Sequence, residues 1–372
     1  MHEFLLEPGV LRMALVLGVV VAALIYDRLH LTTGSILVPG YLGAGVLNPT
    51  MIAIAFLVTL GVFWTVYKLM PRHWLMGWRQ KFLVSISISA GAQFFLLQAS
   101  GLSELYRESV PLLLGVGYVI PGLIAHDAAR HGLYKTLSIT AIAALIVALV
   151  VFAFYSMFES VAQNYTQPEY PELTFSIRWI GIALLVSIVA SAGLQNNYGL
   201  RAGGFVGSGY LSLVLVSIPD IAYLIALSLA TYWLVVGILM KQRMILFGRR
   251  KFVIMVLCSA VLSWSVLLVV EHGIGYRVLI ATFLPMASVF LPGLFANDLE
   301  RVGITRLIIG TALVMALTLS VVFLVIEITE GQRVSYILPL AALSGALSAF
   351  IFIRRLPERL ANFVKSPMRN PR

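Results

Sequence analysis

Three blocks of this sequence occur twice, in the same order. Residues 31–42 read LTTGSILVPGYL, and residues 200–211 read LRAGGFVGSGYL. Gly77-Trp78-Arg79-Gln80-Lys81-Phe82 is answered by Gly248-Arg249-Arg250-Lys251-Phe252. Ile120-Pro121-Gly122-Leu123-Ile124-Ala125-His126-Asp127 is answered by Leu291-Pro292-Gly293-Leu294-Phe295-Ala296-Asn297-Asp298. Partners stay about 170 residues apart throughout, a register that chance likeness between apolar segments does not hold. The chain therefore reads as two tandem copies of one module. Such repeats place their working site where the copies meet.

The module belongs in a membrane. Of 372 residues, 60% are hydrophobic and only 11% charged, against about a quarter charged in soluble domains. Apolar stretches long enough to cross a hydrocarbon core of about 30 Å recur along the chain. The first copy reads as segments near 9–26, 35–48, 51–69, 82–99, 110–126 and 137–155. The second reads near 177–194, 204–218, 219–240, 252–270, 278–297 and 304–326, with an unpaired helix over 335–353. The expectation is an all-α polytopic transmembrane protein of about 13 segments. Its parts are a first repeat over 1–156, an extracytoplasmic linker over 157–176, a second repeat over 177–327, the extra helix, and a basic tail over 354–372.

The net charge of +10 is unevenly spread. Lys68, Arg72, Arg79 and Lys81 mark one basic loop, and Lys241, Arg243, Arg249, Arg250 and Lys251 another. Basic loops face the cytoplasm, which places the N-terminus outside and the tail inside. The loop with Glu159, Glu169 and Glu172 falls outside. Six segments per copy make the repeats parallel. The second segment of each copy is short and broken, by Pro39 and Gly40 in the first and by Gly207 and Gly209 in the second. Broken backbone at membrane depth must be covered by protein or water, so these segments either cross or re-enter. Re-entry would invert the repeats.

Three sets of residues carry candidate chemistry. Pro121-Gly122 and Pro292-Gly293 fall late in apolar segments, as helix breaks that serve either packing or a gate. Asp127, Asn297 and Asp298 follow them and read as structural polar groups, capping a helix or pairing with a loop arginine. Arg79, Lys81, Arg249, Arg250 and Lys251 either set topology alone or form a docking patch for an anionic chain or partner. The lone Cys258 excludes an intrachain disulfide. His126 and His131 beside Asp127 do not have metal-triad spacing, so no metal is expected. With no Walker motif or phosphate loop, neither a cofactor nor catalysis is expected, and nucleic acid is not a partner.

Leu37-Val38-Pro39-Gly40-Tyr41-Leu42, Gly248–Phe252 and Pro292–Asn297 resemble, in order, the motifs of the PgsC/CapC family, the small polytopic subunit of bacterial poly-γ-glutamate synthase. That family looks like a single copy of the module. The likeness covers roughly 10–155 and 177–326, and departs from the family at Trp78, Gln80 and Gly207-Ser208. It implies a non-catalytic bacterial inner-membrane subunit for synthesis and export of an anionic polyamino acid. The implied partners are an ATP-dependent amide ligase (Mur-ligase-like or ATP-grasp), a phosphatase-like extracytoplasmic subunit and membrane lipid. A two-repeat secondary transporter and a structural scaffold for a ligase are the alternatives.

Overall fold

The computed structural model describes residues 8–46, 49–73, 75–99, 116–162, 177–215, 217–242, 246–269 and 285–330. The expected helix over 335–353, the basic tail, and linker residues 163–176 lie outside that set. Among the described residues there are twelve α-helices and no strand. The first copy holds α1 (Pro8–Leu29), α2 (Val38–Ala44), α3 (Pro49–Val62), α4 (Trp78–Ala99), α5 (Val116–His131) and α6 (Leu133–Ala162). The second holds α7 (Ile177–Tyr198), α8 (Gly207–Leu213), α9 (Ile218–Tyr232), α10 (Gly248–Val269), α11 (Pro285–Val302) and α12 (Ile304–Glu330). Both α3 and α9 run on as π-helix, over Phe63–Leu69 and Trp233–Leu239. Seven of these stretches, built on α1, α3, α6, α7, α9, α10 and α12, are long and apolar enough to cross a membrane.

The copies repeat each other in packing as well as in sequence. Within the first, α1 packs on α2 and α6, α2 on α6, α4 on α5, and α3 on both α4 and α5. Each contact recurs six helices later, as α7 on α8 and α12, α8 on α12, α10 on α11, and α9 on both α10 and α11. Between the copies, α4 packs on α7 and α10 packs on α1. Exchanging the copies turns one of these contacts into the other, so the halves are related by a pseudo-two-fold axis. α1 also meets α11 across this junction.

The short helices settle the question of crossing. A seven-residue helix rises only about 10 Å, far less than the bilayer core. However, α2 is the top of a climb. The C-terminal ends of α1, α3 and α5 share one face with the N-terminus of α4, because Tyr67 reaches His126 at 2.6 Å and Trp78 packs on that imidazole. From Leu29 the chain rises past Ile124, against which Gly34 lies at φ +76°. Gly40 then meets Ala14 and Leu15 midway along α1, and Gly43 meets Ala144 and Val147 on α6. α3 starts at the opposite face and returns. An extended run plus a short helix thus makes a full crossing, and every residue of α2 and α8 is buried in protein, as backbone freed from a helix requires. The repeats are parallel.

The Pro-Gly breaks have a packing cause. Pro121 has no N–H, and the turn around it is held from outside α5. Ser89 on α4 donates to the Tyr118 carbonyl at 2.8 Å, while the Gly122 N–H donates to Ser89 Oγ at 3.0 Å. Ser259 on α10 likewise donates to the Val289 carbonyl at 2.5 Å. A Cβ on Gly122 would lie 2.7 Å from the Ser85 carbonyl oxygen, and one on Gly293 3.0 Å from that of Met255. Each glycine lets two helices touch backbone to backbone.

The Gly207-Ser208 departure is compensated in the same way. Where the first copy sets Pro39 and Gly40 against Gly18, the second sets Ser208 against Ser187. Their buried hydroxyls lie 3.4 Å apart.

Candidate functional site

A cavity of about 490 Å3 lies between the copies, at the face where the basic helix ends gather. Its walls come from the α1–α2 run (Gly34, Ser35, Ile36), the start of α4, the end of α5, and the ends of α10 and α11 that face them. Three lining pairs are repeat equivalents: Arg79 and Arg249, Phe82 and Phe252, Arg130 and Arg301. The cavity therefore straddles the pseudo-two-fold axis. Four arginines face one carboxylate, Asp127. A cleft with low-dielectric walls and charge of one sign concentrates the opposite sign inside it. The positive ends of α4 and α10 add to that field.

Each copy's arginine reaches across the junction to the end of the other's first helix. Arg79 donates from Nη2 to the Gln195 carbonyl on α7 at 2.5 Å. Arg249 lies over the Tyr26 ring of α1, 4.8 Å from its centroid. Tyr26 and Gln195 are themselves repeat equivalents. A cation at a helix C-terminus is favourable on its own account, so these contacts also lock the copies together.

The halves of the cavity have diverged. On the first-copy side, His126 packs between Trp78 and Phe82, each 4.7 Å away, and Arg130 lies 5.1 Å over the Trp78 ring. Phe82 in turn touches Phe205 of the second copy at 5.8 Å. On the second-copy side those places hold Asn297 for His126 and Gly248 for Trp78, and ion pairs replace the rings. Lys251 meets Glu300 at 2.5 Å, and Arg201 meets Asp298 at 2.8 Å. Asp298 also accepts the Gly204 N–H at 2.8 Å. It thereby pins the run between α7 and α8 and does not cap the next helix. Asp127 is placed alike, beside Thr32, the equivalent of Arg201.

Of the five basic residues singled out from sequence, the structure brings Arg79 and Arg249 into the cavity. Arg250 faces Asp27 at 3.1 Å on the exposed surface, Lys251 is buried against Glu300, and Lys81 lies off the lining. The Pro and Gly positions stand behind the site as packing elements. Asn297 is buried with no donor for its side-chain oxygen. Arg130 and Arg301 were missed, although both copies carry the signal, Asp127-Ala128-Ala129-Arg130 and Asp298-Leu299-Glu300-Arg301.

A family model described as "Capsule biosynthesis CapC" matches the chain twice, over residues 17–137 and 186–308. The chain belongs to the CapC family. "PGA biosynthesis protein CapC" of Bacillus subtilis (strain 168) is 30% identical over 145 residues, which is 92% of that protein but 38% of this chain. "Capsule biosynthesis protein CapC" of Bacillus anthracis is 26% identical over 137 residues, 85% of its length and 35% of this chain. No solved structure gives a significant match. These relatives correspond to one module, so this CapC-family chain carries in one polypeptide what they carry singly.

Proposed function

We propose that this chain is the non-catalytic membrane subunit of a complex that makes and exports an anionic polyamino acid, poly-γ-glutamate or a near chemical relative. An ATP-dependent amide ligase supplies the bond formation at the cytoplasmic face, and a phosphatase-like extracytoplasmic subunit completes the assembly. The observation that carries the reading is the arginine-lined cavity on the axis between the copies, at the face where basic residues gather. The family and the names of its relatives supply the biosynthetic context. A polyanion made beside this face is drawn to it by several weak charges acting together. We place that face in the cytoplasm on the positive-inside rule, in a bacterial inner membrane, with residues 157–176 outside.

The test is polymer output in cells that depend on this chain. Arg79→Gln with Arg249→Gln should lower output while insertion stays normal, and the ligase should co-purify with the wild-type chain. Undiminished polymer from an inserted double variant would refute the reading. Orientation is checked with single cysteines at 165 and 245 on a Cys258→Ala background. Only 165 should label from outside intact cells, and labelling of 245 would invert the arrangement.

A further inference from the structure

Among the described residues, Arg249 is the one cavity arginine with guanidinium nitrogens that are buried and left unpartnered. Its Nε and Nη2 are both buried and neither has a hydrogen-bond partner. These two atoms form one side of the guanidinium, whose parallel N–H bonds match the two oxygens of a carboxylate. Tyr26 lies under the guanidinium at 4.8 Å and fixes its plane. Asp127 is near enough to attract Arg249, yet no hydrogen bond joins them. By contrast, Arg79 uses Nη2 on Gln195, and neither Arg130 nor Arg301 has a buried nitrogen left unpartnered among the described residues. Buried donors of this strength are rarely left unmade in a folded protein. The same wall carries Phe82, Phe252, Leu123 and Ile36, which suit methylene groups rather than a bare inorganic ion.

We propose that the cavity is a site for one carboxylate on a short aliphatic arm, such as a γ-glutamyl unit, seated on the Nε–Nη2 edge of Arg249 with its methylenes against Phe82 and Phe252. The identity of the arm rests on the proposed function; the carboxylate preference rests on the geometry. Because the cavity lies on the axis, each chain binds one ligand, although each repeat supplies an equivalent arginine.

The experiment is calorimetric titration of the full chain in nanodiscs of neutral phosphatidylcholine, using a short γ-linked glutamate oligomer. One site per chain is expected. Arg249→Lys keeps the charge but loses the paired edge, and should weaken binding by about tenfold or more. Arg250→Gln, on the exposed surface, should change it by less than about twofold. Equal losses in both variants would mean diffuse charge attraction and overturn the site. So would competition by inorganic phosphate as strong as that by glutarate, or loss of binding when anionic lipid replaces the neutral lipid. If Arg249→Lys does not fold, the wild type still decides. Glutarate should compete and glutaramide should not, and equal competition would overturn the carboxylate assignment. Oligomer binding with undiminished polymer output from Arg249→Lys cells would keep the site and remove the export reading. Lost output from a variant that binds normally would keep the export reading and remove the site.

Discussion

The best-defined perturbation is Asp298→Ala. Asp298 is 3% exposed and accepts two hydrogen bonds, from Arg201 Nη1 and from the Gly204 N–H, both at 2.8 Å. Removing the carboxylate leaves Arg201 without its counter-ion. Breaking a fully buried pair costs about 3–5 kcal/mol. Arg201 is 25% exposed and can turn partly to water, so about 2 kcal/mol is the fitting share. The Gly204 N–H, half-buried, loses its acceptor at about 1 kcal/mol more. The sum, about 3 kcal/mol, is roughly a 150-fold change in the unfolding equilibrium. Asp298→Asn keeps an acceptor for the N–H and should lose about 2 kcal/mol. Arg201→Thr gives the second copy the residue that the first has at Thr32, and should lose about 2–3 kcal/mol, because the more deeply buried carboxylate keeps its backbone donor but loses its paired cation. The measurement is reversible unfolding of the purified chain in mixed micelles titrated with SDS. An Asp298→Ala variant within about 0.5 kcal/mol of wild type, inside ordinary surface-substitution scatter, would refute the argument that this carboxylate pins the run between α7 and α8.

The helix junctions give contrasting expectations in the same assay. Gly122→Ala drives a Cβ into the α4 backbone and should destabilise by about 1–3 kcal/mol. Gly91→Ala, which meets nothing within 4 Å, should be neutral or stabilising by up to about 1 kcal/mol through helix propensity; equal effects would show that close approach is not what the Pro-Gly motif serves. Ser259→Ala removes the bond to the Val289 carbonyl at the proline-broken turn, and about 0.6–1.7 kcal/mol should be lost; no change would mean that the turn needs no outside donor. Glu300→Gln leaves Lys251, 8% exposed, with a neutral partner, and should cost about 1–3 kcal/mol. If stability is retained, the pair is not load-sharing.

Much of this fold was legible because duplication is a form of internal evidence. Blocks that recur in order show that Pro121 and Pro292 do one job, before any helix is placed. Charge asymmetry and segment parity pointed to parallel copies, and the climb through Gly34 and Gly40 agrees. What sequence did not disclose are partners set by tertiary approach. Ser89 and Ser259 look like ordinary small residues in apolar helices, yet they complete the broken turns of α5 and α11 from neighbouring helices. Basic residues that read as one patch separate in space, because successive residues on a helix point about 100° apart. Arg249 therefore turns to the axis, Arg250 to the surface and Lys251 to Glu300. The aromatic enclosure of His126 sets Trp78 and Phe82, one turn apart on α4, against Tyr67 from the π-helical run after α3, and no local spacing announces that the two elements meet on α5.

The divergence of the two halves has a consequence for any ligand with distinguishable sides. An exact two-fold axis along the membrane normal, as two identical parallel modules would form, offers a ligand two equal poses half a turn apart. Here Trp78 stands opposite Gly248 and His126 opposite Asn297, so the two poses meet different surfaces beside the same four arginines. Joining the modules in one chain let each side change without changing the other, and gave the junction a handed choice of pose that a pair of identical copies does not possess.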